Sequence, residues 1–344
     1  MERNPSAPIV FPGKTEPLIS IKKIIVLVLL STALISNTYA DLTTKQEVAK
    51  TRGIILYNQY KATSAMPFLT IAAEAGDHEA QYYLGESLRR KNHYMNPEAR
   101  KWYEASAAQG DLYAMIQLGR SEKYFCTLSN DCPPEQKLSI EWLKQAKHIA
   151  EPKAIQGDAE AMYVMYELTI DDVWLEKSAF AGNPLAQYWM AIGTRQGDGF
   201  FLPWKRHEAV GEWLRLSAQG GYPPAMMEYA AFIYEDQGDL ALARHWISEA
   251  AKTGYKSGIS SYGAYLAHSP SMFDFPLDLV KGYALTSLLT ELDGGGNVQV
   301  YVNETLPEIA EKMTPEQILE ATELAKEWNA THPPLSFFPD KLSR

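Results

Sequence analysis

Residues that could carry out chemistry are scattered along this 344-residue chain instead of forming a known catalytic motif. The sequence has no Gly-x-Ser-x-Gly nucleophile elbow, no Gly-x-x-x-x-Gly-Lys phosphate loop and no His-Glu-x-x-His zinc motif. Lys252-Thr253-Gly254 matches a triplet of β-lactamases and penicillin-binding proteins, but the accompanying Ser-x-x-Lys occurs only at Ser20–Lys23. We therefore predict a protein without catalytic, cofactor-binding or metal-binding residues. A cell-wall or β-lactam hydrolase is the enzymatic alternative.

The chain is organised around a stretch of sequence that recurs six times. The clearest copies are AAEAGDHEAQYYLG (Ala72–Gly85), AAQGDLYAMIQLG (Ala107–Gly119), AIQGDAEAMYVMY (Ala154–Tyr166) and AFAGNPLAQYWMA (Ala179–Ala191). The landmark glycines of these and of two looser copies are Gly76, Gly110, Gly157, Gly182, Gly221 and Gly254. A period of roughly 34 residues is typical of a helix–turn–helix solenoid, in which each unit buries its apolar face against its neighbours.

Each copy carries the same residue types at fixed distances from its glycine. Eight residues before the glycine stands a large apolar residue: Phe68, Trp102, Ile149, Trp174, Trp213 and Trp246. Four residues after it stands a small one: Ala80, Ala114, Ala161, Ala186, Ala225 and Gly258. We expect the glycine to adopt the left-handed conformation past a helix end, and Asp77, Asp111, Asp158 or Asn183 to cap the next helix. The small residues then let two helices approach closely, and the large ones fill the gap between them.

The pattern Ala-x-x-Trp…Ala-Ala-x-x-Gly-Asp-x-x-Ala-x-x-x-Leu-Gly resembles the Sel-1-like repeat, a relative of the tetratricopeptide repeat. The resemblance covers most of the chain between residues 60 and 270. It implies an all-α fold, a right-handed α-solenoid of helix pairs that binds other proteins on a curved surface. We divide the chain into a leader and signal peptide (1–40), a repeat solenoid (41–268) and a C-terminal helical cap (269–344).

The N-terminus has the pattern of a signal peptide. Lys22-Lys23 precede the apolar run IIVLVLLSTALI and then NTYA, which predicts cleavage after Ala40 and a periplasmic mature chain. The run is short for a membrane span, and an uncleaved anchor is the alternative. The formal net charge of −10 argues against nucleic acid and anionic lipid headgroups as partners.

The two cysteines of the chain, Cys126 and Cys132, lie close together in the stretch CTLSNDCPP. In an exported protein a nearby pair most often forms a disulfide that closes a small loop, and we predict one here. A metal site is the alternative, and it would need further ligands such as His93 and His148.

Beyond Ser269 the repeat pattern ends and a cap is expected. Thr314-Pro-Glu-Gln317 is a capping-box start, and the helix that it opens places apolar residues on one face: Ile318, Ala321, Leu324, Ala325 and Trp328. Such a helix covers the apolar surface that the last repeat would otherwise expose. We expect Leu335–Phe338 to fold back onto this helix; a free binding tail is the alternative.

Partner binding is expected on the helix face that the repeat does not fix. The position seven residues after each glycine varies, as does its neighbour one turn later, and aromatic residues there suit contact hot spots. The candidate partner-binding residues on and beside this face are Tyr83, Glu86, Arg89, Gln117, Arg120, Trp189, Glu228, Phe232 and Tyr265. If the first helix of each unit lines the concave side, they form a stripe there; filling the gaps between repeats is the alternative.

These expectations combine into one function prediction. We predict a non-enzymatic periplasmic solenoid that binds another protein, a secreted effector or an envelope regulator, and acts as an adaptor or regulator in the cell envelope. The resemblance also allows an immunity protein that neutralises a phospholipase effector of type VI secretion.

Overall fold

The structure is a computed structural model that describes residues 42–121, 137–197, 202–293 and 297–342. The predicted leader and signal peptide (1–40) lie outside these residues, as do Cys126 and Cys132 with their predicted disulfide. Both stay predictions.

The described part of the chain is a succession of α-helices, each packed against the next in sequence except the last two, which both pack against the helix that precedes them. The helices of the first half are α1 (Thr44–Asn58), α2 (Ala62–Glu74), α3 (His78–Asn92), α4 (Pro97–Ala108), α5 (Leu112–Arg120), α6 (Ser139–Ile155), α7 (Ala159–Thr169) and α8 (Asp172–Phe180). Those of the second half are α9 (Pro184–Gln196), α10 (Pro203–Gln219), α11 (Pro223–Glu235), α12 (Leu240–Lys252), α13 (Lys256–Leu266), α14 (Leu279–Leu288), α15 (Val298–Ala310) and α16 (Pro315–Thr331). The predicted all-α solenoid of helix pairs is confirmed. Among these helices none is both long and apolar enough to cross a membrane.

Each even-numbered helix from α2 to α12 turns into the next helix through a landmark glycine. All six glycines have positive φ, between 79° and 99°, a region that a side chain would strain. Asp77 Oδ1 then accepts a hydrogen bond of 2.7 Å from the N–H of Ala80. Asp111, Asp158 and Asn183 cap the helices that follow them in the same way. The predicted turn and caps are confirmed, and they explain why every turn points the next helix in a similar direction.

The small residue four positions after each glycine lies where two helices touch. All six of these residues are buried. At Gly258 an added Cβ would lie 2.6 Å from the carbonyl carbon of Ala250 and from the nitrogen of Ala251. The backbones of α12 and α13 therefore touch directly at this position.

The large apolar residue eight positions before each glycine packs against the core in five copies, but it fills the gap between helices only in part. Phe68 is exposed, and the other five residues are only partly buried. The gap is filled by the residue one position later, which is buried in every copy: Leu69, Tyr103, Ala150, Leu175, Leu214 and Ile247. This position shares a helix face with the buried alanines and serines three and four residues further on, because i, i+3 and i+4 lie on one side.

The C-terminal helices continue the same core. Helix α14 packs against α13 on one side and α16 on the other. Thr314 and Gln317 form the predicted capping box at the start of α16. Ala321 and Trp328 are buried, whereas the opposite face of α16 is exposed, as expected of a cap. One apolar cluster contains residues from both sides of residue 268. The boundary between solenoid and cap therefore stays a prediction.

The two ends of the helical series meet. The side-chain amide of Gln59, at the end of α1, donates a hydrogen bond of 2.9 Å to Glu291 in the 3₁₀ turn that follows α14. Lys61 Nζ lies 2.6 Å from a carboxylate oxygen of Asp293 in the same region. The series of helices therefore curves back towards its own start.

The close approach at Gly258 can be tested by adding one methyl group. Gly258→Ala places a Cβ against the backbone of α12, and we expect the free energy of unfolding to fall by about 1–3 kcal/mol, as for other overpacked sites. Urea denaturation followed by circular dichroism measures this change, with Ser257→Ala on the same helix as the control. Unchanged stability in Gly258→Ala would show that the two helices separate freely.

Candidate functional site

The last described residues, 335–342, form a non-helical stretch that we call the C-terminal segment. Ser336 pairs with Tyr255 in an isolated β-bridge, Phe338 has a φ of 49°, and residues 341–342 lie in a turn. It contacts Asn58 at the end of α1, Tyr82 of α3, Tyr113 of α5, Tyr222 before α11 and Tyr255 before α13. These five residues mark one face of the odd-numbered helices. We call this face the inner surface.

The reach of the C-terminal segment shows that the odd-numbered helices curve around it. An extended stretch of this length spans at most about 27 Å, at about 3.4 Å for each residue. Helices that pack about 8–10 Å apart would spread α1 to α13 over about 50 Å or more in a flat row. The odd-numbered helices therefore line the concave side, as the sequence analysis assumed.

The first half of the C-terminal segment is held by its backbone and by its side chains. The N–H of Ser336 donates to the carbonyl of Gly254, and the N–H of Lys256 donates to the carbonyl of Ser336, each at 2.9 Å. The N–H of Phe337 donates to the carbonyl of Asn58, also at 2.9 Å. Only the bonds of Ser336 have the pattern of an added strand.

The side chains of this half add apolar contacts. Leu335 is buried, and the Phe337 ring stacks on Tyr60 with the ring centres 4.3 Å apart.

The second half is held by its side chains. The Tyr222 hydroxyl lies 3.3 Å from a carboxylate oxygen of Asp340, and the Tyr82 hydroxyl donates to the carbonyl of Lys341. The Lys341 ammonium sits 4.9 Å from the centre of the Tyr113 ring, in the geometry of a cation–π contact. Leu342 is buried in an apolar cluster with residues that include Ile116. This half therefore recognises a basic and an apolar side chain in succession.

A cavity of about 630 Å³ lies beside the second half of the segment. Its walls combine aromatic rings, among them Tyr163 and Trp189, with the carboxylates of Glu160, Glu167 and Asp340. Aromatic faces and carboxylates together favour cationic groups, so the cavity suits a lysine or arginine side chain.

Hydrogen bonds hold the carboxylates of this cavity in place. Glu167 accepts from the Tyr163 hydroxyl at 2.7 Å and pairs with Arg120, while Glu160 accepts from the Tyr113 hydroxyl. Burial, and then the neighbouring glutamate, raise the pKa of Tyr113 and of Tyr163 far above its usual range. Both tyrosines therefore keep their protons and act as hydrogen-bond donors.

Asp340 is the member of the segment that fits its surroundings least well. Burial raises its pKa, the hydrogen bond from Tyr222 lowers it, and the nearby charge of Glu167 raises it; the net shift is upward. The docked position therefore stabilises the ionised form of Asp340 less well than water does.

Trp189, a predicted partner-binding residue, is 37% exposed and lies on the cavity wall. Arg120 stands at the edge of the inner surface, where it also donates to the backbone carbonyl of Glu167 at 2.9 Å. Glu228 is partly exposed and accepts hydrogen bonds from Tyr188 and Arg195. These three positions are open to a partner.

Two further candidates pack within the fold. The Phe232 ring stacks on His207 at 4.5 Å and occupies the space over Gly211, where an added Cβ would lie 2.5 Å from it. The Tyr265 ring lies 5.1 Å from Phe273. Both are half-buried, so gap filling, the alternative reading of the sequence, accounts for their size.

Glu86 is fully buried, which corrects its prediction as a contact residue. Its carboxylate accepts hydrogen bonds of 2.7 Å from Tyr103 and from Gln117, accepts another from Tyr57, and pairs with Arg89 at 2.9 Å. An ionised group so deep in a core needs all of these partners.

Tyr83 and Gln117 are also buried, beside this network, and cannot meet a partner in this conformation. We therefore assign Glu86, Gln117 and Tyr83 to the core, with Arg89 at its edge.

The tyrosines that hold the C-terminal segment were not among the predicted partner-binding residues. Tyr82 stands six residues after its landmark glycine, and Tyr163 and Tyr188 stand six residues after theirs. The predicted partner-binding face was built on the seventh position. Tyr222 and Tyr255 stand where other copies carry the capping aspartate, and their helices begin without a side-chain cap. At these two turns, where the capping aspartate is missing, the tyrosine that replaces it contacts the segment.

The Lys252-Thr253-Gly254 triplet has ordinary structural roles. Lys252 Nζ lies 2.6 Å from Glu249, Thr253 donates to the carbonyl of Ala250 at 2.7 Å, and Gly254 forms the turn. Within the described ranges no group of three or more His, Cys, Asp or Glu residues is arranged to hold a metal ion.

The buried network of Glu86 predicts a large effect of removing its charge. Glu86→Gln leaves the shape of the side chain nearly unchanged but removes the charge that pairs with Arg89. It also replaces the carboxylate, which accepts a hydrogen bond from the Gln117 amide, by an amide that carries a donor group of its own. We expect the free energy of unfolding to fall by about 3 kcal/mol, as when a buried pair is broken. Urea denaturation measures it. The control Glu212→Gln breaks an exposed pair with Arg215 and should cost less than about 1 kcal/mol; equal losses would contradict the assignment.

No family model matches the sequence, and no curated protein matches it. Among solved structures, the chain is similar to a protective antigen present in uropathogenic Escherichia coli strains that displays an SLR fold, with 17% identity, a TM-score of 0.45 and 84% of this chain covered. The chain spans 62% of the length of that structure. It is also similar to a Sel1 repeat protein from Oxalobacter formigenes, with 21% identity and a TM-score of 0.35, over 65% of this chain and 93% of the other. Both descriptions name the repeat class that the sequence pattern resembles.

Proposed function

We propose that this chain is a protein-binding solenoid of the bacterial cell envelope that acts as an adaptor or regulator. The observation that carries the proposal is that the inner surface holds a non-helical stretch of polypeptide through backbone hydrogen bonds and aromatic side chains. A surface that binds one stretch of chain in this way is suited to bind another of similar chemistry.

The cavity beside the C-terminal segment supports the same function. Trp189 is exposed there next to two glutamates, and tryptophan is among the residues that contribute most to protein–protein contacts. The acidic balance of the chain favours a partner with a basic contact surface.

The finer role depends on the partner. An adaptor or regulator would hold an envelope protein, whereas an immunity protein would hold a secreted phospholipase and block its activity. The lysine pair and apolar run before Ala40 support the envelope as the compartment for either role.

Trp189 provides the test of partner binding. With the full chain as bait in the envelope fraction of its own cell, Trp189→Ala should weaken capture of a specific partner by about thirtyfold, as expected for a hot-spot tryptophan. The matched control is Trp204→Ala, because Trp204 is 61% exposed and lies on the even-numbered helix α10. Quantitative mass spectrometry of the captured proteins gives the readout and the class of partner. Equal loss in both variants, or in neither, would contradict a partner site at the cavity.

Processing of the leader tests the compartment. The mature chain should be recovered from the periplasmic fraction with Asp41 as its first residue, and Ala40→Phe should block cleavage because the position needs a small residue. N-terminal sequencing and intact mass give the answer. A chain that keeps residues 1–40 in the soluble cytosolic fraction would overturn the envelope assignment.

A further inference from the structure

The C-terminal segment is joined to the last helix by two prolines and is partly open to solvent. Helix α16 ends at Thr331, and Pro333-Pro334, which lack backbone N–H groups, connect it to Leu335. Leu335 is buried in the cluster that includes Trp328, which anchors the start of the segment as predicted. From Phe337 to Lys341 the residues are only partly buried or exposed. The segment therefore lies on the inner surface as a ligand does, with one side open to solvent.

Asp340 lines the same cavity as Glu160 and Glu167, and the charge of Glu167 acts against ionisation of Asp340. Lys341, the next residue, brings the cation that this cavity favours, and it lies over Tyr113. A partner segment that presents the cation without the carboxylate would fit the surface better than the chain's own segment does.

The contacts define what a competing segment must contain. It must offer free backbone groups, because Gly254, Lys256 and Asn58 bond to the backbone of the segment. It must place a basic side chain over Tyr113 and an apolar side chain in the position of Leu342.

We propose that the C-terminal segment is an internal ligand of the inner surface, and that a partner protein binds by displacing it with a non-helical segment that carries a basic residue followed by an apolar one. This inference rests on the proposed function, since it assigns the same surface a regulation and a partner chemistry. The tethered segment competes at an effective concentration of about millimolar. The affinity for a partner falls with the fraction of chains whose surface is open.

The test measures binding of a free peptide to the full chain. The probe is a fluorescein-labelled peptide with the sequence of residues 335–342, LSFFPDKL, and anisotropy gives its dissociation constant. Lys341→Glu in the chain places a carboxylate near Glu160 and Glu167 and releases the internal segment, so the peptide should bind about tenfold more tightly than to the wild type. Lys341→Arg keeps the cation and is the matched control, with the wild-type affinity expected.

Two further variants move the equilibrium in opposite directions. Leu342→Asp removes the apolar anchor, and its affinity for the peptide should exceed that of Lys341→Glu. Asp340→Asn removes the repelled charge, keeps an acceptor for Tyr222, and should bind the peptide more weakly than the wild type. A second peptide, LSFFPDEL, tests the basic position and should lose about fivefold in affinity for the Lys341→Glu chain, the size of one partly exposed cation–π contact.

The outcomes separate the inference from the proposed function. Equal peptide affinity of wild type, Lys341→Glu and Leu342→Asp, or no binding to any of them, would overturn the internal ligand. Circular dichroism checks that each variant is folded, and Lys341, being exposed, gives a variant whose core is intact. If Lys341→Glu and wild type capture the same partner equally, the proposed function stands and displacement is wrong. If the peptide results hold and no partner is captured, the internal ligand is supported and the proposed function alone fails.

Discussion

The close approach of consecutive helices at the landmark turns is the constraint on which the rest of this structure depends. It is possible only because the residue four positions after each glycine is alanine or glycine, and at Gly258 not even a methyl group fits. The left-handed glycine fixes the turn, and the small residue fixes the distance. Repeated six times, this geometry curves the odd-numbered helices around a groove narrow enough for one short segment to touch both ends of the solenoid.

The chemistry of the groove follows from what a curved helical surface can offer. Helices satisfy their own backbone, so the inner surface binds chiefly through side chains, and tyrosine supplies both a ring and a hydroxyl. Burial beside glutamates keeps Tyr113 and Tyr163 protonated, so each remains a donor. Free backbone groups are available only at the turns, at Gly254 and Asn58, and the segment uses them there. Specificity for side chains therefore lies in the middle of the groove, whereas backbone pairing takes place at its turns.

The turns, the caps and the helix pairs could be predicted because they depend on residues close together in sequence. Gly76, Asp77 and Ala80 each act within one turn of a helix. The side of each helix that faces the groove could not be predicted, since one position rotates a side chain by about 100°. Tyr82 and Tyr83 are both buried, and it is the hydroxyl of Tyr82 that reaches the segment. The docking of Lys341 on Tyr113 joins residues far apart in sequence, and no local pattern announces it.

A solenoid that binds its own end must be selective about what replaces it. A tethered competitor excludes any partner segment that merely matches it, because the tether supplies an effective concentration of about millimolar at no further entropic cost. A successful partner must make contacts that the segment lacks, and the exposed wall formed by Trp189 beside Glu160 and Glu167 is where such contacts are available. A lysine followed by a leucine is common in protein sequences and binds only weakly. A partner with this pair would therefore be bound only if it also contacts this wall.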